Sequence, residues 1–205
     1  MKKMHLEEAV SGLSPTLAME EASRCLLCLD APCSASCPAG TDPAKFIRSI
    51  RFKNVKGAAH TIRINNPLGG ICARVCPTEK YCQLACSRCG IDKPIDIARL
   101  QRFATDMEAA LKMKNMAVSP ATGKRVAVIG SGPSGLSAAA MLAQRGVHVD
   151  IFEAKPKAGG YLRYGIPEYR LPEHVLDQEI NYIKDLGVKI ICDRKIDNAE
   201  ELKKD

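Results

Sequence analysis

Tryptophan is absent from this 205-residue chain, and only five Tyr and four Phe occur. So little ring surface leaves a nucleic-acid platform without its usual stacking material. No apolar run approaches the ~18 residues that a membrane span requires, so no membrane partner is expected. Met1–Leu17 has no long apolar core and contains Lys2, Lys3, Glu7 and Glu8, which argues against a signal peptide. Internal repeats and low-complexity tracts are lacking. The four histidines (His5, His60, His148 and His174) show no ligand or catalytic spacing and read as surface or cap residues. No Ser–His–Asp set or carboxylate pair stands out, so no catalytic residue is assigned.

Cysteine, by contrast, is abundant. Nine of the ten cysteines lie between Cys25 and Cys89, and only Cys192 lies outside. A cytoplasmic chain keeps its thiols reduced, so this crowding points to metal ligation rather than disulfides. The first group is Cys25-x2-Cys28-x4-Cys33-x3-Cys37-Pro38, and the second is Cys76-Pro77-x4-Cys82-x3-Cys86. A Cys-Pro step closing such a run is ferredoxin-like, and the last cysteine of a run there ligates the neighbouring cluster. The i, i+4 pairs Cys33/Cys37 and Cys82/Cys86 suit that interleaving. Structural zinc also uses Cys-x2-Cys, but as two separated pairs closing one tetrahedral site. Two cubanes need eight ligands and the runs supply seven. By spacing alone Cys72 or Cys89 could fill the gap, and spacing does not decide; otherwise Cys72, Cys89 and Cys192 read as bystanders.

Charge agrees with this reading. Of the net +7, Met1–Ala117 carries +6, from 17 Lys and Arg against 11 Asp and Glu. A cubane on four thiolates is formally −2, and one on three thiolates and a neutral ligand is −1, so the basic excess is partly compensation.

The N-terminal half reads as helices broken by cysteine loops. Asp42 caps a helix with Pro43 first and Phe46, Ile47 and Ile50 on one face. A second helix covers Lys56–Ile64. A third starts near Pro94, with Ile97, Leu100, Phe103, Met107 and Leu111 on one face and Met107, Met113 and Met116 as core filler. Val118–Lys124 reads as a linker. Beyond it the pattern is βαβαβ: strands Arg125–Ile129, Val147–Phe152 and Val188–Cys192, helices Ser137–Arg145 and Leu171–Leu186, Gly187 closing the latter, and a last helix over Ala199–Lys204. The expected architecture is an α-helical two-cluster iron–sulfur domain over residues 1–117, a linker over 118–124, and an incomplete α/β Rossmann-type domain over 125–205.

Gly130-Ser131-Gly132-Pro133-Ser134-Gly135 fits G-x-G-x-x-G between a strand and a helix, and Glu153 ends the next strand, 18 residues after Gly135. Gly130 makes the turn, Gly132 admits the pyrophosphate, and Gly135 lets helix and strand pack closely. The helix N-terminus then faces the phosphates, and Glu153 takes a ribose hydroxyl. The motif alone does not separate FAD from NAD(P).

Glu21-Ala-Ser-Arg-Cys-Leu-Leu-Cys-Leu-Asp-Ala-Pro-Cys33, Asn66-Pro-Leu-Gly69, Val75-Cys-Pro-Thr78 and Leu100-Gln-Arg-Phe103 together resemble dihydropyrimidine dehydrogenase. The likeness is to its flavin and iron–sulfur region, which bacteria make as a separate NAD-dependent subunit, and spans Ala22 to the C-terminus. It implies one [4Fe-4S] cluster on Cys25, Cys28, Cys33 and Cys86, and another on Cys37, Cys76, Cys82 and the amide of Gln101. It also implies FAD at Gly130–Gly135, with Gly159, Gly160 and Arg170 as further flavin contacts. Electrons in that family run from NAD(P)H through FAD and the clusters to a partner's FMN, which reduces a pyrimidine. The glutamate synthase small subunit is the main rival, and the five residues between Cys76 and Cys82 favour the pyrimidine enzyme. A second reading is a non-catalytic iron–sulfur docking module. The family's flavin subunit is longer, so its nicotinamide domain is not expected here, and oligomerisation stays open.

Overall fold

A computed structural model describes residues 8–198 and 200–204; His5 and Ala199 lie outside them. The chain divides between Asn115 and Met116 into a helical unit and an α/β unit, each compact in itself.

In the helical unit, α1 (Pro15–Ser23) is capped by Ser14, and α2 (Pro32–Ala35) is a single turn inside the first cysteine run. Asp42 caps α3 (Pro43–Arg51) by accepting from the Lys45 amide at 3.0 Å. The same oxygen accepts from Ser34 Oγ at 2.6 Å, so one carboxylate starts α3 and hooks the turn between Cys33 and Cys37 onto it. Asn54 caps α4 (Val55–Arg63), and α5 (Gly69–Val75) ends at Cys76.

The helix expected from Pro94 begins three residues later: α6 is Ile97–Ala110. Asp96 takes the cap by accepting from Arg99 N, while its own amide donates to Glu21 Oε1 at 2.8 Å. Ile95 just before the cap and Leu100 in the second turn are buried in one core cluster, the placement of a hydrophobic staple. Phe46, Ile47, Ile50, Ile62 and Ile97 fill the same core, with Cys82 inside it and Cys25, Cys33 and Cys86 against its edge. Leu111, expected on the buried face, is exposed, because α6 ends before it and the chain turns away. Met107 packs on the core and Met113 is half-buried, while the buried Met116 belongs to the α/β unit and not to this core.

In the α/β unit, β1 (Arg125–Ile129), β2 (His148–Phe152) and β3 (Lys189–Ile191) form a parallel sheet in the order β1-β2-β3. Arg125 faces His148 and Asp150 faces Lys189 in register. Helix α7 (Pro133–Gln144) starts four residues before the expected Ser137, because Gly132 caps it and Pro133 presets its first turn. The glycine motif and the helix therefore overlap. A one-turn α8 (Tyr161–Tyr164) and α9 (Glu173–Lys184) follow. At the end Glu201–Lys204 is a 3-10 turn, not an α-helix. Residues 118–124 are no free tether: Ser119 N donates to Gln144 O and Thr122 N to Gly146 O, so the segment is stitched to the α7–β2 turn.

Candidate functional site

All ten cysteines are free thiols. Cys25, Cys28, Cys33 and Cys86 line one cavity, of about 370 Å³ with its open mouth included, whose inner wall is Ile47, Ile95 and Ile97. Three of these thiols come from the first run and one from the second. Leu27, between Cys25 and Cys28, is held at φ 56°, a left-handed conformation uncommon for leucine. Cations brace the two runs. Arg51 Nη1 donates to the Cys25 carbonyl at 3.3 Å, and Arg88, two residues after Cys86, donates to the Arg24 carbonyl at 2.8 Å. Asp92 then clamps Arg88 and Arg24 together. Cys28 Sγ contacts Ser87 Oγ at 3.5 Å.

Cys37, Cys76 and Cys82 form a second electrostatic neighbourhood. Burial pushes the Cys82 thiol up to about 12, helped by negative charge on Cys76 and Cys37. Burial likewise raises Cys76 to about 11, with Cys72 the next cause. Cys33 is raised by burial and by Cys86. Cys33, Cys76 and Cys82 are thus disfavoured as thiolates until a cation joins them, as a metal-bound thiol is deprotonated outright. Among the described residues no three His, Cys, Asp or Glu side chains converge on a point that would hold one metal ion. The first set offers four thiols around one cavity, the donor number of a [4Fe-4S] cluster. Cys72, read as a bystander, lies against Cys76 one helical turn away; Cys89 is exposed and Cys192 half-buried. Gln101 is buried on α6, and its Nε2 donates to the Gly69 carbonyl at 2.8 Å.

The glycine loop lies where β1 meets α7. A Cβ on Gly135 would sit 2.0 Å from the Gly130 carbonyl oxygen, so only glycine allows that approach. Gly160 is equally constrained: at φ 51°, its Cβ would come within 2.7 Å of Gly132 Cα. The Gly159–Gly160 turn is therefore packed on the loop rather than being a surface turn. Ser131, fully buried, joins the pieces. Its amide donates to Glu153 Oε2 at 2.9 Å, its hydroxyl donates to the same oxygen, and its Oγ accepts from Gly159 N at 3.0 Å. Glu153 Oε1 accepts from Lys155 N at 2.8 Å. Burial alone would raise this carboxyl, but the Ser131 hydroxyl and amide, with the Lys155 and Ala154 amides, outweigh it, and its pKa is lowered. Glu153, expected at a ribose, thus also holds the loop together. Pro133 and Ser134 open α7, and Arg170 lies exposed in the segment before α9. Sequence reasoning missed the Ser131–Glu153 tie and the Arg51 and Arg88 braces, since nothing in local spacing marks them.

Residues 2–113, more than half of the chain, match the family described as dihydropyrimidine dehydrogenase domain II, 4Fe-4S cluster. The chain belongs to that family. Residues 128–191 of this dihydropyrimidine dehydrogenase-family chain also match an NAD(P)-binding Rossmann-like domain. It is 57% identical over 198 residues to the NAD-dependent dihydropyrimidine dehydrogenase subunit PreT of Salmonella typhimurium, covering 97% of this chain and 48% of that protein. It is 54% identical over 202 residues to PreT of Escherichia coli K12, covering 97% and 49%. A PreT homolog of Salmonella typhi is 60% identical over 188 residues, covering 92% and 46%. The chain spans about half the length of these curated relatives. Among the described residues no helix is long and apolar enough to cross a membrane.

Proposed function

We propose that this chain is the iron–sulfur and flavin part of an NAD(P)H-dependent oxidoreductase that feeds electrons to a pyrimidine-reducing partner. One cluster sits on Cys25, Cys28, Cys33 and Cys86, and a second on Cys37, Cys76, Cys82 and Gln101. FAD occupies the glycine loop, with Gly130, Ser131, Gly132, Pro133, Ser134 and Gly135 around its pyrophosphate and Glu153, Gly159, Gly160 and Arg170 near its other parts. The observation that carries the reading is the single cavity ringed by four thiols drawn from both cysteine runs. When bound, such clusters supply one-electron relays between two-electron centres, at potentials set by ligand charge and hydrogen bonds.

The protein's own contribution is placement. Apolar Ile47, Ile95 and Ile97 back the first cavity and exclude water from one side, while Arg51 and Arg88 hold its rim. At the loop, Gly132 caps α7 so that the helix start faces the phosphates. The partner is an FMN-containing pyrimidine-reducing subunit or an equivalent acceptor, a reading supported by the word "subunit" in the names of the PreT relatives. Ten free thiols fit a cytoplasmic setting.

Anaerobic iron, sulfide and flavin analysis of the full chain tests this. The reading expects about eight irons per chain, four in each of two cubanes, with extractable FAD in stoichiometric amount. Eight irons without flavin would reduce the chain to a docking module. A colourless zinc protein would end the proposal.

A further inference from the structure

Helix α6 carries an unusual stripe on its buried face. Gln101, Thr105 and Glu108 are 8%, 3% and 2% exposed, at spacings that place them on one side of the helix. Polar groups buried to this degree are normally there for their partners. Glu108 pairs with Arg63 of α4, itself 3% exposed, at 2.7 Å, and its other oxygen accepts from Asn115 Nδ2 at 2.7 Å. Arg63 Nη1 also donates to the carbonyl of Pro67, two residues before Gly69. Gly69 in turn accepts from Gln101 Nε2 at 2.8 Å, and Thr105 Oγ1 donates to the Gln101 carbonyl at 3.2 Å.

We infer that the buried Arg63–Glu108 pair is a positioning unit for the Gln101 amide, pinning the Pro67–Gly69 turn so that the Gly69 carbonyl fixes which end of the amide faces a cluster. A backbone carbonyl can only accept, so it selects the NH2 end of Gln101 and turns Oε1 the other way. That oxygen is the atom through which a neutral amide would donate to iron. Stability alone does not account for the ion pair. Well-packed apolar residues in place of a buried pair are often neutral or stabilising, so its presence suits a role in fixing geometry. Outer-shell partners of this sort orient metal ligands and set how firmly the metal is held.

The inference rests on the reading that Gln101 ligates the second cluster, and two variants separate the two. The double variant Arg63→Met with Glu108→Leu removes both charges together, so neither is left buried and unpaired. Gln101→Ala removes the amide. Each full-length protein is reconstituted anaerobically, its melting is followed by circular dichroism, and its reduced clusters are recorded by electron paramagnetic resonance and challenged with an iron chelator. The double variant is expected to melt like the parent and to keep the first cluster's signal. The second cluster's g-values should shift, and its retention should fall about 10- to 100-fold. If g-values and retention of both clusters are unchanged in the double variant while Gln101→Ala alters the second, the pair is mere packing and the inference fails alone. If Gln101→Ala also leaves both clusters unchanged, the ligand reading fails and takes the inference with it. Should the double variant melt early, Asn115→Ala, which removes one hydrogen bond to Glu108 without a core change, must still shift the second cluster's g-values; no shift overturns the inference.

Discussion

The buried hydroxyl of Ser131 donates to the carboxylate of Glu153 across 22 residues of chain, tying the glycine loop to the end of β2. Its oxygen also receives the Gly159 amide, so one side chain joins three segments around the proposed nucleotide. Ser131→Ala removes the hydroxyl from both, leaving the Gly159 amide only the Ser131 carbonyl and Glu153 Oε2 only the Ser131 amide. The expected loss is about 1–3 kcal/mol. It should be read as a lower urea midpoint for the α/β unit, with faster flavin release.

Glu153 also sets an acid limit. Its folded pKa is lowered from the ordinary value of 4.5. The stabilisation it contributes is therefore present above that value and is lost as pH falls through the folded pKa. Glu153→Gln should be less stable than the parent near neutrality, with the gap closing under acid conditions. Melting temperatures from pH 7 down to pH 3 check this; a gap that stays constant with pH would contradict it.

Close approach at Gly135 allows a controlled comparison. Gly135→Ala forces a methyl against the Gly130 carbonyl, whereas Gly90→Ala meets nothing within 4 Å. Gly135→Ala should cost about 1–3 kcal/mol as overpacking and abolish flavin retention. Gly90→Ala should keep flavin, as measured by absorbance after gel filtration.

The two cysteine sets should lose metal independently. Cys86→Ser is expected to halve the iron from about eight to about four per chain, leaving the second cluster's resonance signal. Gln101→Cys should keep eight irons, and the added negative charge should lower that cluster's reduction potential. Redox titration checks the sign; an unchanged or higher potential would count against Gln101 as a ligand.

Stability should depend on the metal as well. Cys82 is part of the helical core, and Cys25, Cys33 and Cys86 pack against it. Apo protein is therefore expected to lose much of its helical circular dichroism from residues 9–115. A native-like apo spectrum would show that the apolar core suffices.

Features dictated by neighbouring residues were legible in the chain before any coordinates. Asp42-Pro43 starts a helix at the expected place, Arg125–Ile129 is a strand to the residue, and the βαβαβ order holds, because caps, prolines and β-branched runs act within a few positions. Starts that depend on competing caps were misread, as at Ile97 and Pro133, where Asp96 and Gly132 prevailed. Only the folded chain shows that Ser131 reaches Glu153 and that Arg63 meets Glu108 45 residues away. Such partnerships join segments whose local patterns are silent about one another, and burial, which makes them strong, exists only after the core has closed.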